Sequence, residues 1–255
     1  MLSPSPNPLN LYSEARATAP EKLATISALA ELETSDALAV PRVAAVNGWM
    51  IFAAGAFLVS VPVFFEAPLV REWPGVSLML SLLWGGLSAV LMRNPATKIW
   101  GDLLVGFTWS WLCGSIFWGW WRWEPVWHLP IEALALPIAL VGLQFRWARV
   151  GNCFYLGSLV GTVITDFYFY VVDLMPAWKQ LMRAEPSQFG PIFQAALAQM
   201  YLPWGMAWTV ILVVTLLFFG LWGLQRRSLP WMAFSGAVLS TILVDGLFWI
   251  AATLA

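Results

Sequence analysis

From residue 43 onward the chain carries seven apolar runs of bilayer-spanning length, a pattern that excludes an ordinary soluble domain. A helix needs about 20 predominantly apolar residues to cross roughly 30 Å of hydrocarbon. The runs are Val43 to Phe65, Trp73 to Met92, Ile99 to Trp121, Leu129 to Phe145, Val150 to Val172, Leu202 to Leu224 and Trp231 to Leu254. The expected fold is an all-α membrane protein, a bundle of about seven transmembrane helices. Composition agrees: 60% of the 255 residues are hydrophobic and 11% are charged, whereas soluble domains carry about 25% charged residues. The fourth run is short and holds Pro130 and Pro137. Pro137 removes an interior hydrogen bond, so this segment is expected to be kinked or partly re-entrant.

The cations orient the bundle. Seven spans put Arg16, Lys22, Arg42, Arg93, Lys98, Arg146, Arg149, Arg226 and Arg227 on one side, and Arg71, Arg122, Lys179 and Arg183 on the other, which accounts for all 13. The positive-inside rule then predicts a cytoplasmic N-terminus and a C-terminus outside, in the periplasm or a thylakoid lumen. Residues 1–42 differ in composition from the rest. They open on Pro, Ser and Asn and are expected to form a mostly disordered cytoplasmic tail, with a weak amphipathic helix over Pro20 to Glu33. The tail lacks a signal peptide's order of a basic start, an apolar core and a small-residue cleavage site, and it has too many acids for a transit peptide. One long outer-side connector, 175–201, separates the fifth and sixth spans, and its PIFQAALAQM portion suits a short interfacial helix.

The segment WSWLCGSIFWGWWRWEPVWHLPIE, Trp109 to Glu132, concentrates seven of the 18 tryptophans and the single histidine where a span enters the headgroup layer. Most of the acids fall at the same end. Glu66, Glu124, His128, Glu132, Asp166, Asp173 and Asp245 all lie on the outer side or in the outer half, and Asp102 is the exception. A carboxylate near a helix centre costs roughly 2.5–3.5 kcal/mol on insertion scales, so Asp166 and Asp245 should turn inward. In the fifth span, Tyr155, Thr162, Asp166, Tyr170 and Asp173 recur at helical spacing and are expected to share one face. These placements predict one outward-facing polar pocket, walled by tryptophan, built from Glu66, Arg71, Arg122, Glu124, His128, Glu132, Asp166 and Asp245. The structural alternatives are a helix cap at Glu132, solvated interface positions at Glu66, Glu124 and Asp173, an interface residue at His128, an interhelical hydrogen bond at Asp166 or Asp245, and tryptophans that serve as belt and packing. Gly157 with Gly161, and Gly236 with Ser240, have the spacing that lets two helices approach closely, and would bring the Asp166 and Asp245 helices together.

Several chemistries are disfavoured. There is no phosphate-binding glycine loop, no H-E-x-x-H and no G-x-S-x-G, and a single histidine excludes a bis-histidine haem or a His-rich metal centre. No metal site and no dedicated cofactor motif is read, although one site built from His128 with carboxylates would suit a hard cation. The near-zero net charge of -1 and the lack of a Lys/Arg-rich run argue against nucleic acid. Cys113 and Cys153 have no C-x-x-C spacing and read as buried apolar side chains.

The segments VSVPVFFEAPLVR, WGDLLVGFTWSWL, WGWWRWEPVWHLPIEALALP, GSLVGTVITDFYFYVVDLMPAW and FSGAVLSTILVDGLFWIA resemble a family of cyanobacterial Trp-rich multi-spanning membrane proteins catalogued as a domain of unknown function. The resemblance runs from about Asn47 to Ala252 and implies a thylakoid or plasma membrane location, but no activity and no catalytic residues. Three readings follow. The first is a non-catalytic accessory or assembly protein of a photosynthetic membrane, binding a lipid, quinone, pigment or partner complex. The second is a proton- or cation-linked transporter or channel subunit with Asp166 and Asp245 in the path. The third is a membrane enzyme with a carboxylate base and Arg122 holding an anionic group of a lipid-soluble substrate.

Overall fold

The structure is a computed structural model that describes residues 46–254. The tail reading for residues 1–42 and the start of the first expected span lie outside these residues. Ten α-helices follow one another: α1 (Gly48–Glu72), α2 (Pro74–Arg93), α3 (Lys98–Trp120), α4 (His128–Glu132), α5 (Leu136–Gln144), α6 (Arg149–Val171), α7 (Met175–Arg183), α8 (Phe189–Met200), α9 (Pro203–Gln225) and α10 (Leu229–Leu254). Short 3-10 turns at Pro125–Trp127 and Pro186–Gln188 complete the order.

Six segments are long and apolar enough to cross a membrane: α1, α2, Pro125–Gln144, α6, α9 and α10. The third expected span, α3, is equally long but is not among them. Its tryptophans, glycines, serines and Asp102 lower its mean hydropathy. Burial supplies the reason such a helix is tolerated: 11 of its 23 residues are buried, so it meets protein rather than surroundings over much of its circumference.

Helix ends differ from the sequence expectations in two places. Asn47 caps α1, its side chain accepting a hydrogen bond from Trp49 N at 3.0 Å. The helix then runs to Glu72 rather than ending at Phe65, with Pro62 and Pro68 inside it. Glu66 and Arg71 therefore project from a helix, not a loop. The fourth run is broken: α4 ends at Glu132, a turn covers 133–135, and α5 begins with Pro137 in its first turn, where the missing N–H costs nothing. In the connector, PIFQAALAQM lies within α8 as expected, and α7 is a further helix before it.

Close contacts between backbones build the centre. Gly106 of α3 abuts the backbone of Gly151 of α6. Gly157 and Gly161 abut Phe234 and Thr241 of α10, as the spacing suggests, but Gly236 faces the Phe52 carbonyl of α1 instead of α6. These meetings set the directions: α1, α3, α6 and α10 run parallel, whereas α2, α4 with α5, and α9 run against them. The core joins all four parallel helices through Ile51, Phe107, Trp111, Phe154, Met232 and Ala237.

The polarity of α2 is inverted relative to a soluble helix. Its buried positions are Ser77, Ser81 and Ser88, while Leu82 and Val90 are 70% and 60% exposed. Small polar residues toward protein and large apolar residues outward is the arrangement that suits a lipid surround, where tight backbone approach replaces hydrophobic burial as the driving force.

Candidate functional site

The parallel directions of α1, α3, α6 and α10 bring their C-terminal ends to one end of the bundle, where α4 starts. At its centre His128 and Asp166 meet. Asp166 lies five residues before the end of α6, about 8 Å below it at 1.5 Å per residue. Only 2% of Asp166 is exposed, and both carboxylate oxygens lie 2.9 Å from His128 Nδ1. The carboxylate accepts from the Nδ1–H, which fixes the imidazole tautomer and aims Nε2 elsewhere. Nε2 points toward Glu132 Oε1, 3.9 Å away and one turn later on the same short helix.

Aromatic rings enclose the imidazole. Phe117, Trp178 and Trp118 place ring centroids at 4.3, 5.5 and 5.8 Å from that of His128. Trp118 and Trp178 stack on each other at 5.5 Å with 12° between planes. Trp178 reaches in from α7 and is pinned there, its Nε1–H donating to the Arg122 carbonyl at 2.8 Å. The connector thus closes one side of the site.

Further acids surround this pair. Glu132 lies within electrostatic range of both Glu66 and Asp166, and Asp166 within range of Asp245. Each outer member has a hydroxyl partner. Ser115 donates to Glu66 Oε1 at 3.2 Å and in turn bonds Ser77 at 2.7 Å. Thr165, adjacent to Asp166, donates to Asp245 Oδ2 at 2.9 Å. Tyr155 donates to the Glu132 carbonyl at 2.6 Å, tying α4 to α6. Four carboxylates and one imidazole from α1, α4, α6 and α10 are therefore strung across one end of the bundle. Among the described residues no arginine or lysine forms an ion pair with any of them, and no three His, Cys, Asp or Glu side chains converge tightly enough to hold a metal ion.

The remaining three expected site residues lie elsewhere, so the single pocket is resolved into three places. Glu124 forms a partly exposed ion cluster with Lys179 at 2.9 Å and Arg183 at 3.5 Å. Arg71 and Arg122 line a separate cleft of about 360 Å³ between the ends of α1 and α3 and the connector helices α7 and α8. Trp118 is shared, touching the cleft and stacking near His128. The expected stripe on α6 is also incomplete. Tyr155 and Asp166 are buried, but Tyr170 is exposed, and Asp173 lies past the helix end in a left-handed conformation with φ 58°. Asp102, at the opposite end, accepts from Gly151 N at 2.8 Å and serves the start of α6.

Phe117, Trp178, Ser115, Ser77 and Thr165 are site residues that sequence reasoning missed. For Ser77 a signal was present, since Ser77, Ser81 and Ser88 recur at steps of four and seven along α2. Trp178 had none, because nothing in the connector marks which of its side chains turns inward.

Residues 55–253 match a family described as a protein of unknown function, DUF3120. The chain belongs to that family. The matched region includes all eight expected site residues and excludes the tail. No curated protein and no solved structure matches the chain.

Proposed function

We propose that this member of the DUF3120 family is an integral membrane protein with seven spans, its N-terminus cytoplasmic and its C-terminus outside, that relays protons through the outer half of its bundle as a proton-linked transporter or channel subunit. The observation that carries the reading is the buried His128–Asp166 pair flanked by Glu132, Asp245 and Glu66 without a lysine or arginine partner among the described residues. A structural link between two helices needs one donor and one acceptor. Four acids around one imidazole exceed that need, and each ionised carboxylate in a low-dielectric bundle is costly unless its charge is balanced. Protons are the counter-charge that such a string accepts one at a time, and because neighbouring groups titrate as a coupled set, uptake at one member alters the others. A bound multivalent cation is less well supported, because no metal-holding group of three ligands occurs among the described residues.

Support for seven spans comes from helix direction. Counting α3 as a span, and α4 with α5 as one, makes every successive span reverse, and that count keeps the nine-to-four split of cations. A thylakoid or plasma membrane of a cyanobacterium is the location that the sequence resemblance favours.

The accessory reading, in which the protein binds a lipophilic ligand or a photosynthetic partner complex, keeps one observation in its favour: Trp73, Trp120, Trp121, Trp123 and Trp127 are all exposed at this end. The enzyme reading is less favoured, since Arg122 and the buried carboxylates occupy separate places.

Reconstitution tests the proposal. Liposomes carrying the wild-type chain and a trapped pH-sensitive dye should pass protons down an imposed gradient, and Asp166→Asn or Asp245→Asn should abolish the flux. Wild-type liposomes no leakier than empty ones, or flux untouched by both substitutions, would eliminate it.

A further inference from the structure

The cleft beside the buried string carries an inference that does not depend on proton movement. We infer that it holds the headgroup of an anionic membrane lipid, a phosphodiester clamped between Arg71 and Arg122 with its glycerol and upper acyl chains against the apolar wall. Arg71 and Arg122 both line one concavity, and no acidic residue lines it with them. Neither arginine forms an ion pair among the described residues, and two acids at this end are engaged elsewhere: Glu66 accepts from Ser115, and Glu124 pairs with Lys179 and Arg183. Arg122 is held at the rim by donating Nη1–H to the Trp118 carbonyl at 3.1 Å and by lying over the Trp123 ring at 5.3 Å, which leaves other N–H groups of its fork free to donate. A guanidinium fork matches phosphate oxygens in pairs, so two of them form a strong phosphodiester seat.

The rest of the lining decides which anion. Trp118, Met182, Phe189 and Phe193 give the cleft a mostly apolar wall. A free inorganic anion would satisfy the arginines and leave that wall unused, whereas a neutral quinone or pigment would use the wall and leave two positive charges unmatched. An anionic lipid uses both. The level is also right: exposed Trp73, Trp120, Trp121, Trp123, Trp127 and Trp204 cluster at this end of the bundle, and such a belt marks the headgroup layer.

Native mass spectrometry of the full-length chain, purified in a neutral detergent, tests this directly. The probes are phosphatidylglycerol and phosphatidylcholine with identical acyl chains, and inorganic phosphate as competitor. Phosphatidylglycerol should bind about tenfold more tightly, equivalent to about 1.4 kcal/mol. The double variant Arg71→Gln/Arg122→Gln should lose that preference, while Arg226→Gln/Arg227→Gln, altered at the other end, should keep it. Should the double variant not remain monodisperse, Arg71→Gln alone, at an exposed position, should lower the preference by about threefold. Equal binding of the two lipids, a preference that survives loss of both arginines, or displacement of the lipid by inorganic phosphate would each overturn the inference.

Discussion

Replacing either member of the His128–Asp166 pair should reveal how much of the bundle's stability is held at this one contact. Both Asp166 oxygens lie 2.9 Å from Nδ1 and Asp166 is 2% exposed, so no solvent is at hand to replace a lost partner. Interhelical hydrogen bonds in membrane proteins average only about 0.6 kcal/mol in double-mutant cycles. A buried hydrogen bond to a charged group contributes about 1.5–3 kcal/mol, and stripping one partner from a buried pair costs about 3–5 kcal/mol. Asp166→Ala should therefore cost about 3 kcal/mol. His128→Ala should cost at least as much, because the ring also packs on Phe117, Trp118 and Trp178. Part of each loss is packing that the other substitution does not touch, and the cycle removes it. The coupling energy from Asp166→Ala, His128→Ala and the double variant should be at least about 1.5 kcal/mol, above the average for membrane hydrogen bonds. Asp166→Asn keeps an acceptor for Nδ1 and should recover part of the loss. Reversible unfolding of purified protein by SDS titration in mixed micelles, followed by circular dichroism, gives all four numbers. A coupling at or below about 0.6 kcal/mol would refute the claim that this contact differs from an ordinary helix-to-helix bond.

Two other outcomes follow from the packing and the topology. Gly106→Val puts a branched side chain where the backbone of Gly151 already sits, and overpacking of this kind costs about 1–3 kcal/mol or more; the yield of monodisperse protein should fall sharply, while Gly86→Val, which meets no neighbouring atom within 4 Å, should not change it. Ser187→Cys, between α7 and α8, and Ser228→Cys, between α9 and α10, should react with an impermeant thiol reagent from opposite faces of oriented vesicles, over a low background because Cys113 is buried and Cys153 partly so. Labelling of both from the same face would refute the seven-span topology.

How much of this was readable beforehand depends on what each signal measures. Hydropathy measures length and apolarity, so six of the expected spans were legible, and Pro130 and Pro137 marked the one that breaks. It could not find that α1 continues to Glu72, because Pro62 and Pro68 lie inside that helix and proline ordinarily marks a helix end. The small-residue spacing located the α6–α10 seam at Gly157 and Gly161, but spacing alone does not choose the partner, and Gly236 turned to α1. For the candidate site, sequence position gave the level along the bundle and not the angle around each helix. Glu66, Arg71 and Arg122 were placed at one level together; the turn of α1 sends Glu66 toward Ser115 and Arg71 into the cleft, and that rotation is set by packing. The connector's part was the least legible, because Trp178 acts through a stack on Trp118 that depends entirely on how α7 folds back.

Because the chain contains one histidine, a single spectroscopic probe reports on the centre of the proposed proton relay. The ¹⁵N spectrum of selectively labelled protein, purified with a tag that adds no histidine, shows the two ring nitrogens of His128 alone. The account predicts a protonated Nδ1 in hydrogen-bond contact with a carboxylate, and resonances that shift on Asp166→Asn and again on Glu132→Gln and Asp245→Asn, because the acids act as one coupled set. An imidazole that titrates as it does free in water, with signals indifferent to all three substitutions, would contradict it.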